Sequence, residues 1–101
     1  MVKAVYDDIQ INLSGKILDC KTKELLSDVR VKVYRECNLI MSEVFSQEYS
    51  FNLPVGVYTI IFEKDGYYKK FIAPIIYTDE YIIYDVRLLK KKLLTVNLKI
   101  T

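Results

Sequence analysis

The side chains here that could do chemistry are carboxylates, thiols and phenols, because the 101-residue sequence contains no histidine. Without an imidazole, neither a Ser-His-Asp nor a Cys-His nucleophile pair can form within the chain. Asp7-Asp8 and Asp79-Glu80 have the composition of a general acid and base. Adjacent residues on an extended strand point to opposite faces, so neither pair brings both carboxylates to one substrate, and both read as turns. A calcium site needs more oxygen ligands grouped on a loop, and Asp65-Gly66 is a turn signal. Cys20 and Cys37 lack a neighbouring histidine or helix N-terminus to lower a thiol pKa, so they read as buried or idle thiols. If the strands that they close form an antiparallel hairpin, they sit at its opposite ends. An eight-residue strand spans roughly 26 Å, whereas bridged Cα atoms lie within about 7 Å. No disulfide is expected between them, nor a zinc site from two cysteines alone. The expectation is a protein that is not an enzyme and that carries no metal or cofactor.

The phenols are the other resource: nine tyrosines and four phenylalanines, with no tryptophan. Tyr67, Tyr68, Tyr77, Tyr81 and Tyr84 gather near turns in the second half. Exposed tyrosines are favoured at binding surfaces and could form a platform for a sugar or a protein partner. The alternative is that they rim a tyrosine-rich core. A net charge of +2 is too small to argue for nucleic acid. The Lys90-Lys91-Lys92 run has no base-stacking aromatic pattern and reads as a solvated strand junction.

The elements that hold these side chains follow a period of two. Tyr49, Phe51 and Leu53 share one face, as do Tyr58, Ile60 and Phe62 across the Pro54-Val55-Gly56 turn, where Pro54 presets φ and Gly56 can supply a positive one. Ile9, Ile11, Leu13 and Ile17 alternate with polar residues, and Gly15 among them suggests a bulge or a close backbone approach. Asp19 to Asp28 reads as a surface loop whose Leu25-Leu26 plug one end of the core. Val29, Val31 and Val33 form the clearest amphipathic strand. Leu39 to Phe45 is a less regular, shorter strand. Tyr68 to Ile76 contains Pro74, which lacks an amide hydrogen and so marks an edge strand or a break. Ile82, Tyr84, Val86 and Leu88 face one way, with Ile83, Asp85 and Arg87 opposite.

Leu94, Val96, Leu98 and Ile100 alternate to the end of the sequence. Each buried aliphatic side chain contributes about 1.5–3 kcal/mol, so such a set belongs against a core or a partner. It reads as an eighth strand of the same sandwich, as an exposed edge that pairs with another chain, or as the first strand of a further domain. No helical period is sustained, and the short, regularly spaced strands predict an all-β sandwich. The length is that of one domain, residues 1–101. No stretch reaches the roughly 20 apolar residues of a membrane span. The N-terminus lacks the hydrophobic segment of a signal peptide. The expectation for location stays open: extracytoplasmic or at the cell surface if a leader has been removed, otherwise cytoplasmic.

Several segments also stand in a familiar order: Gly15-Lys16-Ile17-Leu18-Asp19, Val29-x-Val31-x-Val33, Tyr49-x-Phe51-x-Leu53-Pro54-x-Gly56-x-Tyr58 and Gly66-Tyr67. Over roughly residues 12–89 this resembles the bacterial carboxypeptidase regulatory-like family, whose modules are similar in fold to transthyretin and to Cna-B repeats. Two loops depart from that pattern: Thr22-Lys23-Glu24-Leu25 stands for a Thr-Gly-x-Pro turn, and Gln47-Glu48 for Asp-Gly. The resemblance implies a seven-stranded antiparallel prealbumin-like (Ig-like) sandwich; the N-terminal extension and the extra strand at about 93–100, read from its alternation as an eighth, lie outside the family pattern. It also implies a module without activity of its own, sited beside enzymes, on cell surfaces, before outer-membrane transporter barrels or in secretion assemblies. The hydroxyisourate hydrolases of the transthyretin-like group use histidines and an Arg-Gly-Ser signature, and neither exists here. The expected role is a structural or protein–protein module, with a carbohydrate- or peptide-binding accessory domain as the alternative. The candidate contact residues are Leu94, Val96, Leu98, Ile100, Tyr67, Tyr68, Tyr77 and Tyr81.

Overall fold

The computed structural model describes residues 10–73, 75–76 and 81–92. In chain order the strands are β1 (Gln10–Asp19), β2 (Val29–Arg35), β3 (Asn38–Phe45), β4 (Glu48–Pro54), β5 (Gly56–Val57), β6 (Thr59–Glu63), β7 (Lys70–Ile72), β8 (Ile75–Ile76), β9 (Tyr81–Ile83) and β10 (Val86–Leu88). The described residues contain no helix, and two four-stranded sheets dominate. In one, β1 lies between β4 and the pair β9 and β10; the other has the order β3-β2-β6-β7. A short β5-β8 ribbon stands apart.

The fold is all-β and consistent with a sandwich, but it differs from a seven- to eight-stranded antiparallel one. The described residues hold ten β segments, and the first sheet is mixed, because β9 and β10 run parallel to β1. Alternation reports which face a side chain takes and is blind to strand direction. The hairpin imagined for Cys20 and Cys37 is absent too. β1 and β2 lie in different sheets, and both thiols are free.

Period-two burial builds the core. Ile11, Leu13 and Ile17 of β1 meet Tyr49, Phe51 and Leu53 of β4 and Val86 and Leu88 of β10. Val29, Val31 and Val33 of β2, with Ile60 and Phe62 of β6, close it from the other sheet. Tyr49 packs edge-on against Phe62, with ring centroids 5.2 Å apart. Of the two leucines expected to plug the loop end, Leu26 is buried and Leu25 is exposed, its backbone bridging Leu18.

β3 is longer than expected, at eight residues. The register shifts between Val33 and Tyr34, so Met41 pairs with Val33 and Leu39 with Tyr34, and Ile40 is the extra residue. That bulge breaks the alternation and makes the sequence look irregular. The β2–β3 turn places Glu36 and Cys37 at φ 51° and 70°, the pair of positive values a two-residue hairpin turn requires.

The Pro54–Tyr58 segment carries the chain from one sheet to the other rather than into a hairpin. Tyr58 curls back so that its hydroxyl donates to the Pro54 carbonyl at 2.6 Å. Arg35 lies over the Tyr58 ring, 5.7 Å from its centroid. Gly56 does not use a positive φ; Gly66 does, at 85°. What Gly56 supplies is space, because a Cβ there would come 3.3 Å from the Arg35 guanidinium and 3.4 Å from the Tyr58 hydroxyl.

β9 and β10 hold one register against β1, since Leu13 pairs with Ile82 and Ile17 with Val86. Between them the ladder is interrupted at Tyr84-Asp85. The Tyr84 N–H donates to Ser14 O (2.8 Å), but the Lys16 N–H goes to the Asp85 carboxylate (2.9 Å) instead of a backbone carbonyl. The Tyr84 carbonyl has turned inward over Gly15, where the Tyr49 hydroxyl donates to it. Gly15 is therefore the close approach its sequence position suggests. Tyr84 is exposed rather than sharing the buried face of Val86 and Leu88.

Candidate functional site

The outer face of the β3-β2-β6-β7 sheet follows from the same alternation. With Val29, Val31 and Val33 inward, Arg30 and Lys32 point out; with Ile60 and Phe62 inward, Ile61 and Glu63 point out. Cross-strand register sets Val44, Arg30 and Glu63 in one row and Ser42, Lys32, Ile61 and Phe71 in the next. The turn at Asp65-Gly66 and the residues after it rim this face and leave an open groove of ≈ 1170 Å³.

The groove is charged and ordered. Glu63 accepts ion pairs from Lys32 (3.3 Å) and Lys69 (3.4 Å). Desolvation pushes its carboxyl pKa up, but the hydrogen bonds and charges of the two lysines outweigh that and hold it below the ordinary range. Arg30 donates to the Ser42 hydroxyl and Lys64 to the Ser27 carbonyl. Tyr68, half exposed at 49%, has the Lys91 ammonium over its ring at 5.7 Å, and Phe71 is 59% exposed.

Tyr67 anchors the rim. It is half-buried, and its hydroxyl donates to Asp19 Oδ2 at 2.8 Å. Asp19, only 6% exposed, also accepts the backbone N–H groups of Lys21 (2.8 Å) and Thr22 (3.0 Å). The Thr22 amide, the Tyr67 hydroxyl and the Lys21 amide together hold its pKa down at about 2, from an ordinary 3.8. Hydrogen bonding to Asp19, aided by desolvation, raises the Tyr67 phenol. Backbone bonds from Tyr68 to Leu89 and from Lys91 to Gly66 clamp the rim to the segment after β10.

This gives a pH prediction. A carboxyl lowered in the folded state adds stability that is fully present above its unfolded value near 3.8 and is lost as pH falls through about 2. The urea midpoint of the parent chain should fall across that window more steeply than that of Asp19→Asn. Parallel curves would show that Asp19 does not contribute as described.

Of the sequence candidates, Tyr67 and Tyr68 meet at this groove. Tyr81 belongs to β9, with its side chain outside the description. Tyr77, Leu94, Val96, Leu98 and Ile100 lie outside the described residues. Sequence reasoning missed Lys32, Glu63, Lys69 and Phe71 as a group, because only the register places them side by side. Lys91 had a visible signal, the lysine run, but not its tyrosine. Among the described residues, no cluster of three His, Cys, Asp or Glu could hold a metal ion, and no helix is long and apolar enough to cross a membrane.

No protein-family model matches the chain, and no curated protein matches it. Solved structures do. The Bacillus anthracis TIE protein superposes with a TM-score of 0.66 at 21% identity, over 81% of this chain and 18% of that one. A Bacteroides uniformis protein, provisionally described as carbohydrate-binding, gives 0.62 at 21%, over 79% of this chain and 41% of that one. A Bacteroides fragilis protein of unknown function, provisionally described as membrane-associated, gives 0.60 at 15%, over 83% and 29%. The chain thus spans less than half the length of each. At these identities the likeness concerns the fold.

Proposed function

We propose that this chain is a non-catalytic β-sandwich module for structural or protein–protein roles, related to the prealbumin-like, carboxypeptidase regulatory-like modules and acting within a larger cell-surface, transport or secretion assembly. The observation that carries this reading is Asp19. It is the buried charged side chain among the described residues, and its oxygens are occupied by two backbone amides and Tyr67. Its bonds are those of a carboxylate that caps a turn and fixes the rim. That the fold is a fraction of each longer neighbour fits a module. The contact surface is the tyrosine-bearing rim, or the segment with Leu94, Val96, Leu98 and Ile100. The test has two arms. The purified chain should show no turnover of ester, glycoside, phosphomonoester or peptide substrates, and activity that copurifies with it would overturn the reading. Truncation before Leu93 should alter solubility, stability or oligomeric state; three unchanged properties would remove that segment from the contact surface.

A second reading is a carbohydrate- or peptide-binding accessory domain. It is favoured by two exposed rings, Tyr68 and Phe71, on one groove, and by the description of the Bacteroides uniformis neighbour.

A further inference from the structure

We propose that the groove on the outer face of the β3-β2-β6-β7 sheet takes an acidic polysaccharide, with carboxylate-bearing sugar units lying over Tyr68 and Phe71 and their charges meeting Arg30, Lys32 and Lys69. This rests on the second reading above and names its ligand class.

Charge comes first. Five cations line the groove (Arg30, Lys32, Lys64, Lys69 and Lys91) against three carboxylates (Asp28, Glu63 and Asp65), which leaves two positive charges uncompensated. Glu63 sits between Lys32 and Lys69 at 3.3 and 3.4 Å and so shows what the pair accepts: a carboxylate oxygen. An ammonium has three donors, so each lysine keeps donors beyond its bond to Glu63. Arg30, one strand-step from Lys32, puts one nitrogen on Ser42 and retains the rest of its five-donor fork, which suits a second carboxylate. A neutral sugar would leave the surplus of two positive charges uncompensated.

The flat surface comes second. Tyr68 and Phe71 are both exposed side chains lining the groove, and the Lys91 ammonium lies over the Tyr68 ring. Rings carry a negative face that attracts the electropositive C–H groups of a sugar. From Val44 on β3 to Phe71 on β7 the face crosses three strand gaps of about 4.8 Å, roughly 14 Å in all, room for a short run of sugar units. An acidic peptide fits less well. Extended peptides gain affinity by adding to a sheet edge, whereas the middle of this floor is β2 and β6, whose backbone groups already pair on both sides.

The experiment measures binding of the intact chain to immobilised polygalacturonate, neutral dextran and poly-glutamate, with a glycan array alongside. The expected result is binding to polygalacturonate, little to dextran, and weaker binding to poly-glutamate. Added salt should weaken the uronate interaction without abolishing it. Tyr68→Ala with Phe71→Ala should weaken uronate binding by about tenfold, a few-fold for each ring. Lys91→Gln, which removes the exposed ammonium over Tyr68, should weaken it a few-fold, with an unchanged circular dichroism spectrum. Equal binding to poly-glutamate and polygalacturonate, indifferent to the ring substitutions, would overturn the proposal in favour of an acidic peptide. Binding to neutral glycans alone would overturn it and leave the carbohydrate reading standing. No binding to any glycan would remove both.

Discussion

Gly15→Ala should destabilise the fold by roughly 3–5 kcal/mol, and Gly15→Val should abolish it. The reason is local and backbone-bound. A Cβ on Gly15 would collide with the Tyr84 carbonyl oxygen and sit 2.6 Å from its carbon, with the Tyr49 ring 3.1 Å away. No rotamer change relieves a clash with main chain. Relief requires β9–β10 to move off β1, which strains the bond from the Tyr84 N–H to Ser14 and leaves the Tyr49 hydroxyl without its acceptor. Overpacking alone costs about 1–3 kcal/mol, and an orphaned buried polar group adds a similar amount. Urea unfolding followed by circular dichroism measures the effect. A loss below about 1 kcal/mol for Gly15→Ala, the size of an ordinary surface change, would mean that the two strands are not seated as described.

Tyr49→Ala should lose about 3–5 kcal/mol, the range for removing a large buried ring. Tyr49 is 1% exposed and packs on both Phe62 (5.2 Å) and Phe51 (5.8 Å), so it joins β4 to β6 across the sandwich. Tyr49→Phe separates ring from hydroxyl. It keeps the packing, leaves the inward Tyr84 carbonyl without its donor, and should cost about 1–3 kcal/mol. The two variants also differ from the parent at high pH. Burial, and then the charge of Asp85, lift the Tyr49 phenol far above its ordinary value of 10. A raised group of this kind contributes stability that is complete below its unfolded value and declines as pH rises above about 10. The parent should therefore lose stability on alkalinisation more steeply than Tyr49→Phe. Superimposable alkaline slopes would contradict the buried position of the hydroxyl, since Tyr58 and Tyr67 titrate in both proteins.

Much of the fold was legible in the residues. Val29, Val31 and Val33 announced an amphipathic strand, Tyr49, Phe51 and Leu53 another, and all six are buried. Gly15 was legible as a bulge or a close approach, and it is the second. What stayed hidden depended on pairing across long separations. The direction of β9 and β10 leaves no mark in a period of two. Phe71 looked like one more apolar strand residue until its register opposite Ile61 placed it on the outer face. Lys32, Glu63 and Lys69 carry no local sign of being neighbours. Gly56 was read through its torsional freedom, when its use is the room it leaves for Arg35 and Tyr58.

The central place of β1 also bears on how the chain matures on the ribosome. Its Lys16 pairs with Glu48, and its Ile17 with Val86, so β1, which precedes every other described strand, gains its second flank only when β9 and β10 follow. Until Leu88 has emerged, one flank of β1 presents unsatisfied amides and carbonyls to whatever else the cell contains. Closing so long a loop is slow compared with forming the β2–β3 hairpin, whose partners are adjacent in the message. The nascent chain thus passes through a stage in which the second sheet can assemble while the first lacks one side, and that interval is its period of greatest exposure to misassembly.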